Sequence, residues 1–287
     1  MHKNNSIPYN FAALSLEYSD YKSARAVILP VPYDHTVSYI AGAKNGPRAI
    51  ISASRNMELY DDEISKNIYE SGIHTADELM TVIDPEKMNS IVYSSAKEFL
   101  DDGKFIVALG GDHSISYGII KAASEKFKNL SVLQLDAHAD LRDSYEGTKF
   151  SHACIMRRVS EICKFTQVGI RSYSEEEAEF IAEKKLKLFL ARELNGEKWM
   201  DEVVKGLSEN VYITIDVDVF DPSIMPSTGT PEPGGLDWHT ALKLLKKVFE
   251  KKKVVGFDVV ELSPMQNVAP DFMLAKLVYK LIGYKFL

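Results

Sequence analysis

The chain has 287 residues, of which 45% are apolar and 26% charged, a balance that excludes a disordered or fibrous protein and allows one α/β domain over residues 1–287. Its 34 Lys and Arg residues are outnumbered by 41 Asp and Glu residues, and the formal net charge of −7 disfavours a nucleic-acid partner. No apolar run reaches the ~18 residues of a membrane helix, and no signal peptide is recognisable, so we expect a cytoplasmic protein without a membrane partner.

Short apolar runs rich in β-branched residues predict buried strands at Ala26–Val31, Phe105–Leu109, Leu130–Leu135, Thr166–Ile170, Leu186–Leu190, Val211–Val217 and Val254–Val260. Stretches with helical spacing of apolar residues separate most of them, at Met88–Asp102, Ser116–Lys128, Glu175–Lys184, Lys198–Leu207, Thr240–Lys251 and Phe272–Ile282. Alternating strands and helices imply right-handed crossovers. The pattern therefore predicts a three-layer α/β/α fold with a mostly parallel sheet.

Polar residues with metal-binding side chains follow three of the predicted strands. Asp136, His138 and Asp140 occupy alternate positions of one segment, and Asp216 and Asp218 repeat this spacing in another. Alternate residues of an extended segment point to the same side. A third strand end carries His113 after a Gly-Gly-Asp sequence. Because ligand sites form outside the carboxyl ends of parallel strands, we expect these side chains to share one pocket.

The charge of this set indicates a metal centre. Four carboxylates in one pocket repel one another unless some are protonated or cations are present, and two divalent ions balance their charge. A set dominated by oxygen with two imidazoles favours Mn²⁺ over structural Zn²⁺, although Ni²⁺, Fe²⁺ and Co²⁺ also fit. Each motif alone is more often a turn or a solvated strand end. Their joint position after apolar strands is what favours metal binding.

The same segments resemble the ureohydrolase family of arginase and agmatinase. The resemblance rests on Gly110–Ser114, Asp136–Asp140, Asp216–Pro222, Gly229–Gly235 and Asp258–Pro264, and their order and spacing match over most of the chain. The upstream segments Ser38–Gly42 and Gly46–Ile50 resemble the N-terminal loop and helix start of agmatinases. The resemblance implies an arginase-like fold and hydrolysis of a guanidino compound to urea by a hydroxide that bridges two Mn²⁺ ions.

The resemblance also implies the role of each residue. One Mn²⁺ would be held by His113, Asp136, Asp140 and Asp216, and the other by Asp136, His138, Asp216 and Asp218. Glu261 matches the glutamate that binds guanidinium, a task suited to a carboxylate because it accepts two parallel N–H bonds. His152 matches the histidine that shuttles protons. Asp112, Ser114 and Asp258 are expected to orient the ligands, with ordinary capping or turn roles as the alternative.

The substrate is expected to be agmatine, which would be hydrolysed to putrescine and urea. Arginases carry an Asn and a Ser that bind the carboxylate of arginine, and the segment Leu141–Phe150 lacks that pattern. Asp143 or Glu146 is a candidate to face the amine of agmatine, although Arg142 and Lys149 lie in the same segment. Guanidinobutyrate, arginine and free guanidine remain alternative substrates. His152 counts against formiminoglutamase activity.

Two rival classes of protein are compatible with parts of the pattern. A two-metal phosphoesterase would use a similar metal centre but would need cationic phosphate clamps, and a non-catalytic homologue would be expected to have lost metal ligands. The resemblance further implies a closed, symmetric homo-oligomer, a trimer or a hexamer.

Overall fold

The structure, a computed structural model, describes residues 7–287. Its centre is a sheet of eight parallel strands, namely β1 (Ala26–Val31), β4 (Ile73–Thr75), β5 (Phe105–Gly110), β6 (Leu130–Leu135), β7 (Lys164–Ile170), β8 (Leu188–Leu190), β9 (Asn210–Asp216) and β10 (Lys253–Val260). Two further strands, β2 (Tyr60–Asp61) and β3 (Lys66–Asn67), form a separate antiparallel pair. The order across the large sheet is β4-β1-β5-β10-β9-β6-β7-β8.

All seven predicted strands lie in this sheet, with ends that shift by at most two residues. The eighth strand, β4, pairs with β1 at one edge of the sheet and was not predicted. Three residues are too few to show a period of two, so the pairing with β1 defines this strand. The parallel pairing follows from the helices between strands, as expected.

The described range contains nine α-helices, which are α1 (Leu16–Ser19), α2 (Gly46–Ser54), α3 (Pro85–Asp101), α4 (Ser116–Lys126), α5 (Ile155–Val159), α6 (Glu175–Lys184), α7 (Lys198–Gly206), α8 (Trp238–Lys251) and α9 (Ala269–Phe286). The six predicted helices are α3, α4 and α6 to α9. Local chemistry sets several of their starts. The Asp84 and Asp237 side chains accept hydrogen bonds from Lys87 N and Thr240 N, and Ser174 forms a capping box with Glu177.

Two apolar layers separate the helices from the sheet. Helices α2, α7, α8 and α9 pack on one face, where Ile50, Met200, Leu245 and Val278 are buried. Helices α3 to α6 cover the other face with residues such as Val92, Ile119, Ile155 and Phe180. Strand side chains alternate between the layers, as β5 shows with Val107 in one and Ala108 in the other. The predicted three-layer α/β/α fold is therefore confirmed.

None of the helices within residues 7–287 is both long enough and apolar enough to cross a membrane. Residues 1–6 lie outside the described range, so the predicted domain bounds 1–287 and the expected lack of a signal peptide stay predictions. The sheet order makes β5, β10, β9 and β6 consecutive neighbours. Their carboxyl ends form a continuous stretch of one sheet edge.

Candidate metal centre and substrate cavity

The predicted site residues lie directly at the carboxyl ends of these four neighbouring strands. His113 follows β5, the segment 136–140 follows β6, Asp216 ends β9 with Asp218 just beyond it, and Glu261 follows β10. Residues far apart in sequence are thus brought to one edge of the sheet, where parallel strands place their ligand sites.

His113 lies among three carboxylates. Its Nδ1 atom is 3.1 Å from Asp136 Oδ2, 3.1 Å from Asp140 Oδ2 and 3.4 Å from Asp216 Oδ2. All four residues are buried. An imidazole nitrogen and three carboxylate oxygens therefore face a common point.

A second group of ligand-type side chains shares Asp136 with the first. His138 Nδ1 lies 2.9 Å from Asp218 Oδ2 and 3.7 Å from Asp136 Oδ1. The other oxygen of Asp218 accepts a hydrogen bond of 3.0 Å from Ala137 N, which fixes the carboxylate. The structure thus brings together every residue predicted as a ligand, which are His113, Asp136, His138, Asp140, Asp216 and Asp218.

The protein groups alone leave this cluster electrostatically unbalanced. Burial and then the neighbouring Asp136 raise the pKa of Asp140 to about 7, and burial with Asp218 raises the pKa of Asp216 well above its usual value. Burial lowers the pKa of His138, but the carboxylates of Asp218 and Asp136 outweigh it and raise the pKa to about 12. The cluster therefore favours added positive charge.

This donor set fits two cations. His113 Nδ1 is buried and has no hydrogen-bond partner within the described range, although it faces three carboxylates. Such an unpartnered nitrogen is costly unless something else satisfies it, and a metal ion does so. The groups His113–Asp136–Asp140 and Asp136–His138–Asp218 each offer ligand atoms within 4.8 Å of one another. The chain therefore contains Asp and His groups able to bind metal.

A hydrogen-bond chain behind His113 orients its ring. His113 Nε2 lies 2.8 Å from Thr214 Oγ1, and Thr214 donates a bond of 2.6 Å to Asp258 Oδ1. Tyr212 donates a bond of 2.8 Å to the other oxygen of Asp258. Since the Thr214 hydroxyl uses its proton on Asp258, it accepts from His113 Nε2–H, and the Nδ1 lone pair faces the carboxylates.

A second chain supports Asp136. Gln134 Nε2 donates a bond of 2.7 Å to Asp136 Oδ2, and Gln167 Nε2 donates to Gln134 Oε1 at 2.5 Å. Gln134 and Thr214 were not among the residues predicted from the sequence. Each lies two residues before an aspartate, Asp136 or Asp216, on the same side of its strand, and this alternation was the available signal.

Glu261 is joined to the metal-ligand cluster through the backbone. Its Oε1 accepts a hydrogen bond of 2.7 Å from His113 N, while its own N–H donates to Gly111 O at 2.7 Å. Glu261 has a φ of 68°, a left-handed conformation that is strained in a residue other than glycine. Gly111 has no room for a side chain, since a Cβ there would lie 1.7 Å from Tyr33 O. Gly111 of the Gly-Gly-Asp-His motif therefore allows the backbone to pass close to that of Tyr33.

His152 is held by the loop that carries Thr36. Its backbone N–H donates a bond of 3.0 Å to Thr36 Oγ1, and its Nδ1 lies 3.3 Å from the same hydroxyl. Thr36 N in turn donates to Asp112 Oδ2 at 3.0 Å. Burial lowers the pKa of His152, although Asp112 opposes the shift, so the imidazole is neutral at pH 7.

A cavity of about 270 Å³ opens above the cluster. Glu261 and His152 both line it. Tyr39 and Tyr173 also line it and are 76% and 42% exposed, which places two aromatic rings where the cavity meets solvent. Arg142 contributes the only Arg or Lys side chain to this lining within the described residues.

The two acidic residues considered for the far end of the substrate are not part of this lining. Asp143 Oδ1 accepts a bond of 2.7 Å from Arg158 Nη2, and Lys149 Nζ lies 3.5 Å from its other oxygen. Glu146 is exposed to solvent. Neither Asp143 nor Glu146 therefore lines the cavity, since Asp143 is paired with Arg158 and Glu146 is exposed to solvent.

Arg171 is a further residue that the sequence analysis missed. Its guanidinium donates to the carbonyl oxygens of Gly169 at 3.0 Å, Asp218 at 2.7 Å, Glu232 at 2.8 Å and Pro233 at 3.0 Å. It joins the backbone after β7 to the Gly229–Gly235 loop and to a predicted metal ligand. No spacing in the sequence reveals this role, since its partners are main-chain atoms.

Known proteins share both the sequence and the fold. The N(1)-aminopropylagmatine ureohydrolase of Synechocystis sp. is 40% identical over 280 residues, covering 93% of this chain and 90% of its own. The agmatinase of Pyrococcus horikoshii is 36% identical over 281 residues, with coverages of 96% and 98%. The crystal structure of the agmatine ureohydrolase of Thermoplasma volcanium superposes with a TM-score of 0.89 at 33% identity, with coverages of 97% and 94%.

The family assignment agrees with these relatives. Residues 24–283 match the Arginase family, and this range contains all eight strands of the central sheet, the cluster of Asp and His residues able to bind metal, and the cavity above it. The chain therefore belongs to the arginase family of ureohydrolases, which hydrolyse amidino C–N bonds.

Proposed function

We propose that this protein is an agmatinase, a metal-dependent hydrolase that splits agmatine into putrescine and urea. The observation that carries the proposal is the convergence of two imidazoles and four carboxylates beneath a cavity that Glu261 and His152 line. Agmatine combines a guanidinium group with an amine and has no carboxylate. The cavity accordingly needs no carboxylate-binding residues of the kind that arginases carry.

Two Mn²⁺ ions per chain are the proposed cofactors. Asp136 and Asp216 are proposed to bridge them, with His113 and Asp140 on one side and His138 and Asp218 on the other. Such ions, when bound, lower the pKa of a water molecule enough to give a nucleophile near neutral pH. The oxygen-rich donor set supports Mn²⁺ over the softer-ligand metals.

Glu261 is proposed to bind the guanidinium. One carboxylate oxygen accepts from His113 N, and Oε2 accepts no hydrogen bond from the described residues. A planar cation with parallel N–H groups satisfies this oxygen and offsets the burial of the charge. The backbone bonds on both sides of Glu261 hold the guanidinium carbon at a fixed height above the cluster.

His152 is proposed to move protons between the attacking water and the leaving amine. The alkylamine is a poor leaving group until its nitrogen is protonated, so a general acid is needed. The burial that lowers the pKa of His152 keeps it neutral and able to accept a proton. Thr36 fixes the direction of the ring.

A second candidate substrate is N(1)-aminopropylagmatine, which extends agmatine by an aminopropyl group. The Synechocystis relative acts on this compound by its name. The exposed rings of Tyr39 and Tyr173 at the cavity opening favour it, since aromatic faces attract ammonium groups through cation–π contacts. Guanidinobutyrate, arginine and guanidine are weaker candidates, and an acidic compound would need Arg142 as its partner.

A competition assay tests the substrate. Metal-loaded protein is given agmatine, N(1)-aminopropylagmatine, arginine, guanidinobutyrate and guanidine, and both urea and the amine product are quantified. Agmatine should exceed arginine at least tenfold in kcat/KM, because burying an unpaired carboxylate costs ~1.4 kcal/mol or more. Preference for arginine contradicts the substrate proposal, and hydrolysis of phosphate esters without urea release contradicts the reaction class.

The chain is further proposed to act as one catalytic domain within a closed homo-oligomer, a trimer or a hexamer. Light scattering at assay concentration measures this directly. A monomer that hydrolyses agmatine would remove the oligomer proposal and leave the mechanism intact.

A further inference from the structure

A second cavity, of about 510 Å³, lies at the edge of the sheet opposite the metal-binding cluster. It is lined by the amino-terminal starts of β1, β5 and β10, at Arg25, Phe105 and Lys253, and by Lys285 and Phe286 near the end of α9. The strands β5 and β10 separate it from the site by roughly 20 Å at ~3.3 Å per residue. The two sites are therefore distinct.

The lining of this cavity is strongly basic in a protein whose net charge is −7. Six Lys and Arg side chains and one carboxylate contribute to it, and the cations are Lys22, Arg25, Lys104, Lys126, Lys253 and Lys285. The one carboxylate, Asp102, accepts a hydrogen bond from the Tyr21 hydroxyl. This single negative charge leaves most of the positive charge of the cavity unbalanced.

Five of the six cations have no carboxylate partner within 4 Å over residues 7–287, and three of these five, Arg25, Lys253 and Lys285, lie beside aromatic rings of the cavity lining. The Arg25 guanidinium lies 4.1 Å from the centre of the Phe286 ring, Lys253 Nζ lies 5.8 Å from that of Phe127, and Lys285 Nζ lies 5.1 Å from that of Phe105. Three positive charges without a carboxylate partner among the described residues are therefore gathered at one cavity.

Lys285 shows that these charges repel one another. Burial, followed by the charges of Lys253 and Arg25, lowers the pKa of its ammonium group. Its Nζ donates one bond of 2.6 Å to Val254 O, so further N–H groups remain for a ligand. Lys104 differs, since its ammonium donates to Tyr21 O and Ala24 O and fixes the rim.

We infer that this cavity is a binding site for a small phosphate-bearing polyanion, a polyphosphate chain that is either free or carried by a nucleotide. Guanidinium and ammonium groups are the usual partners of phosphate oxygens. Three converging cations match a multivalent anion better than a single carboxylate. The volume is within the ~300–1,000 Å³ range of small-molecule sites.

Calorimetry of the metal-loaded protein at 0.15 M NaCl, with sodium tripolyphosphate and ATP as separate probes, tests the inference. At least one probe should bind with a dissociation constant of about 100 µM or lower. Lys253→Met and Lys285→Met should each weaken that binding about tenfold or more, whereas Lys66→Met, an exposed lysine on β3, should not. ATP binding more tightly than tripolyphosphate identifies a nucleotide, and equal binding identifies the phosphate chain alone.

Phosphates also bind divalent metals, so the variants decide where the probe is held. Affinity that is unchanged in both Lys253→Met and Lys285→Met, or no binding of either probe, overturns the inference. Thermal unfolding of each variant checks that it is folded. Arg25→Gln repeats the test at a third position if either lysine variant is unstable. Urea release from agmatine is measured separately, so failure of this site and failure of the proposed function are distinguishable.

Discussion

The side chain of His113 contacts the Thr214 hydroxyl through Nε2 at 2.8 Å, and the Thr214 hydroxyl donates a hydrogen bond to Asp258. This arrangement fixes the tautomer in which His113 Nδ1 is free to bind a metal. Thr214→Val should therefore weaken metal affinity about 10–100-fold while the ligands themselves remain. Thr214→Ser retains the hydroxyl and should bind nearly normally. Competition with a chelating dye measures the metal affinity of each variant. Equal affinity in the two variants would contradict the role of Thr214 in orienting His113.

Metal content is expected to be about two ions per chain, with activity after chelation restored best by Mn²⁺. Asp136→Asn should lose both ions, because Asp136 belongs to both ligand groups. Asp140→Asn should lose mainly one. Elemental analysis measures the content, with the exposed His239→Asn as control. A single ion in fully active protein would exclude the two-metal arrangement.

His152→Asn should lower kcat about 10²–10⁴-fold and leave the metal content near normal, because the proposed role is proton transfer. Steady-state kinetics and elemental analysis on the same sample separate the two quantities. Thr36→Ala, which removes the hydroxyl beside the ring, should give a smaller loss. If the His152→Asn variant loses metal in proportion to activity, then His152 is a ligand.

Arg171→Gln should lower the free energy of unfolding by about 2–3 kcal/mol, because several charge-assisted bonds to carbonyl oxygens are lost. Asp218 O is one of these oxygens, so metal affinity should fall as well. Arg192→Gln, with 71% of its side chain exposed, is the matched control. Urea unfolding and metal titration provide the two measurements. An unchanged midpoint in both variants would show that Arg171 holds nothing that matters to stability.

Glu63 is expected to stabilise the fold in a pH-dependent way. Burial raises its pKa, but bonds from Lys246, Tyr284 and Lys280 outweigh burial and lower the pKa from 4.5 to about 2. A carboxylate whose pKa is lowered in the folded protein stabilises the fold at pH values above its unfolded pKa, near 4.5. This stabilisation is lost as the pH falls towards the folded pKa, about 2. Because Glu63 is one-third exposed, its side chain is worth only about 1 kcal/mol.

Glu63→Gln should accordingly be less stable than the natural chain at pH 7. The difference in the free energy of unfolding between the two proteins should shrink as the pH falls below about 4.5. Urea unfolding of both proteins across this range gives the difference at each pH. The exposed Glu179→Gln serves as control, since over residues 7–287 its carboxylate has no Lys or Arg partner within 4 Å. A deficit that stays constant with pH would show that the ionised form of Glu63 is not responsible.

The ligand set follows from the sequence because strand geometry is local. An apolar run predicts the strand, and alternation then predicts that Asp136, His138 and Asp140 share a side. The charge of the set indicates cations without any knowledge of the fold. Helices α6 and α8 are similarly predictable, because their caps and apolar spacing lie within a few residues of sequence.

Which strands are neighbours was decided only by the tertiary structure. The order β5-β10-β9-β6 brings Thr214 and Asp258, from adjacent strands, behind His113 from a third, and no periodicity contains that order. Strand β4 could not be predicted either, because its pairing with β1 defines it. The partners of Arg171 could not be predicted because contacts to main-chain oxygens of distant loops leave no residue pattern in the sequence. The tertiary structure likewise pairs Asp143 with Arg158, and Asp143 does not line the cavity. Side-chain identity specifies local chemistry, whereas the sheet order and the loops packed above it determine which chemistries meet.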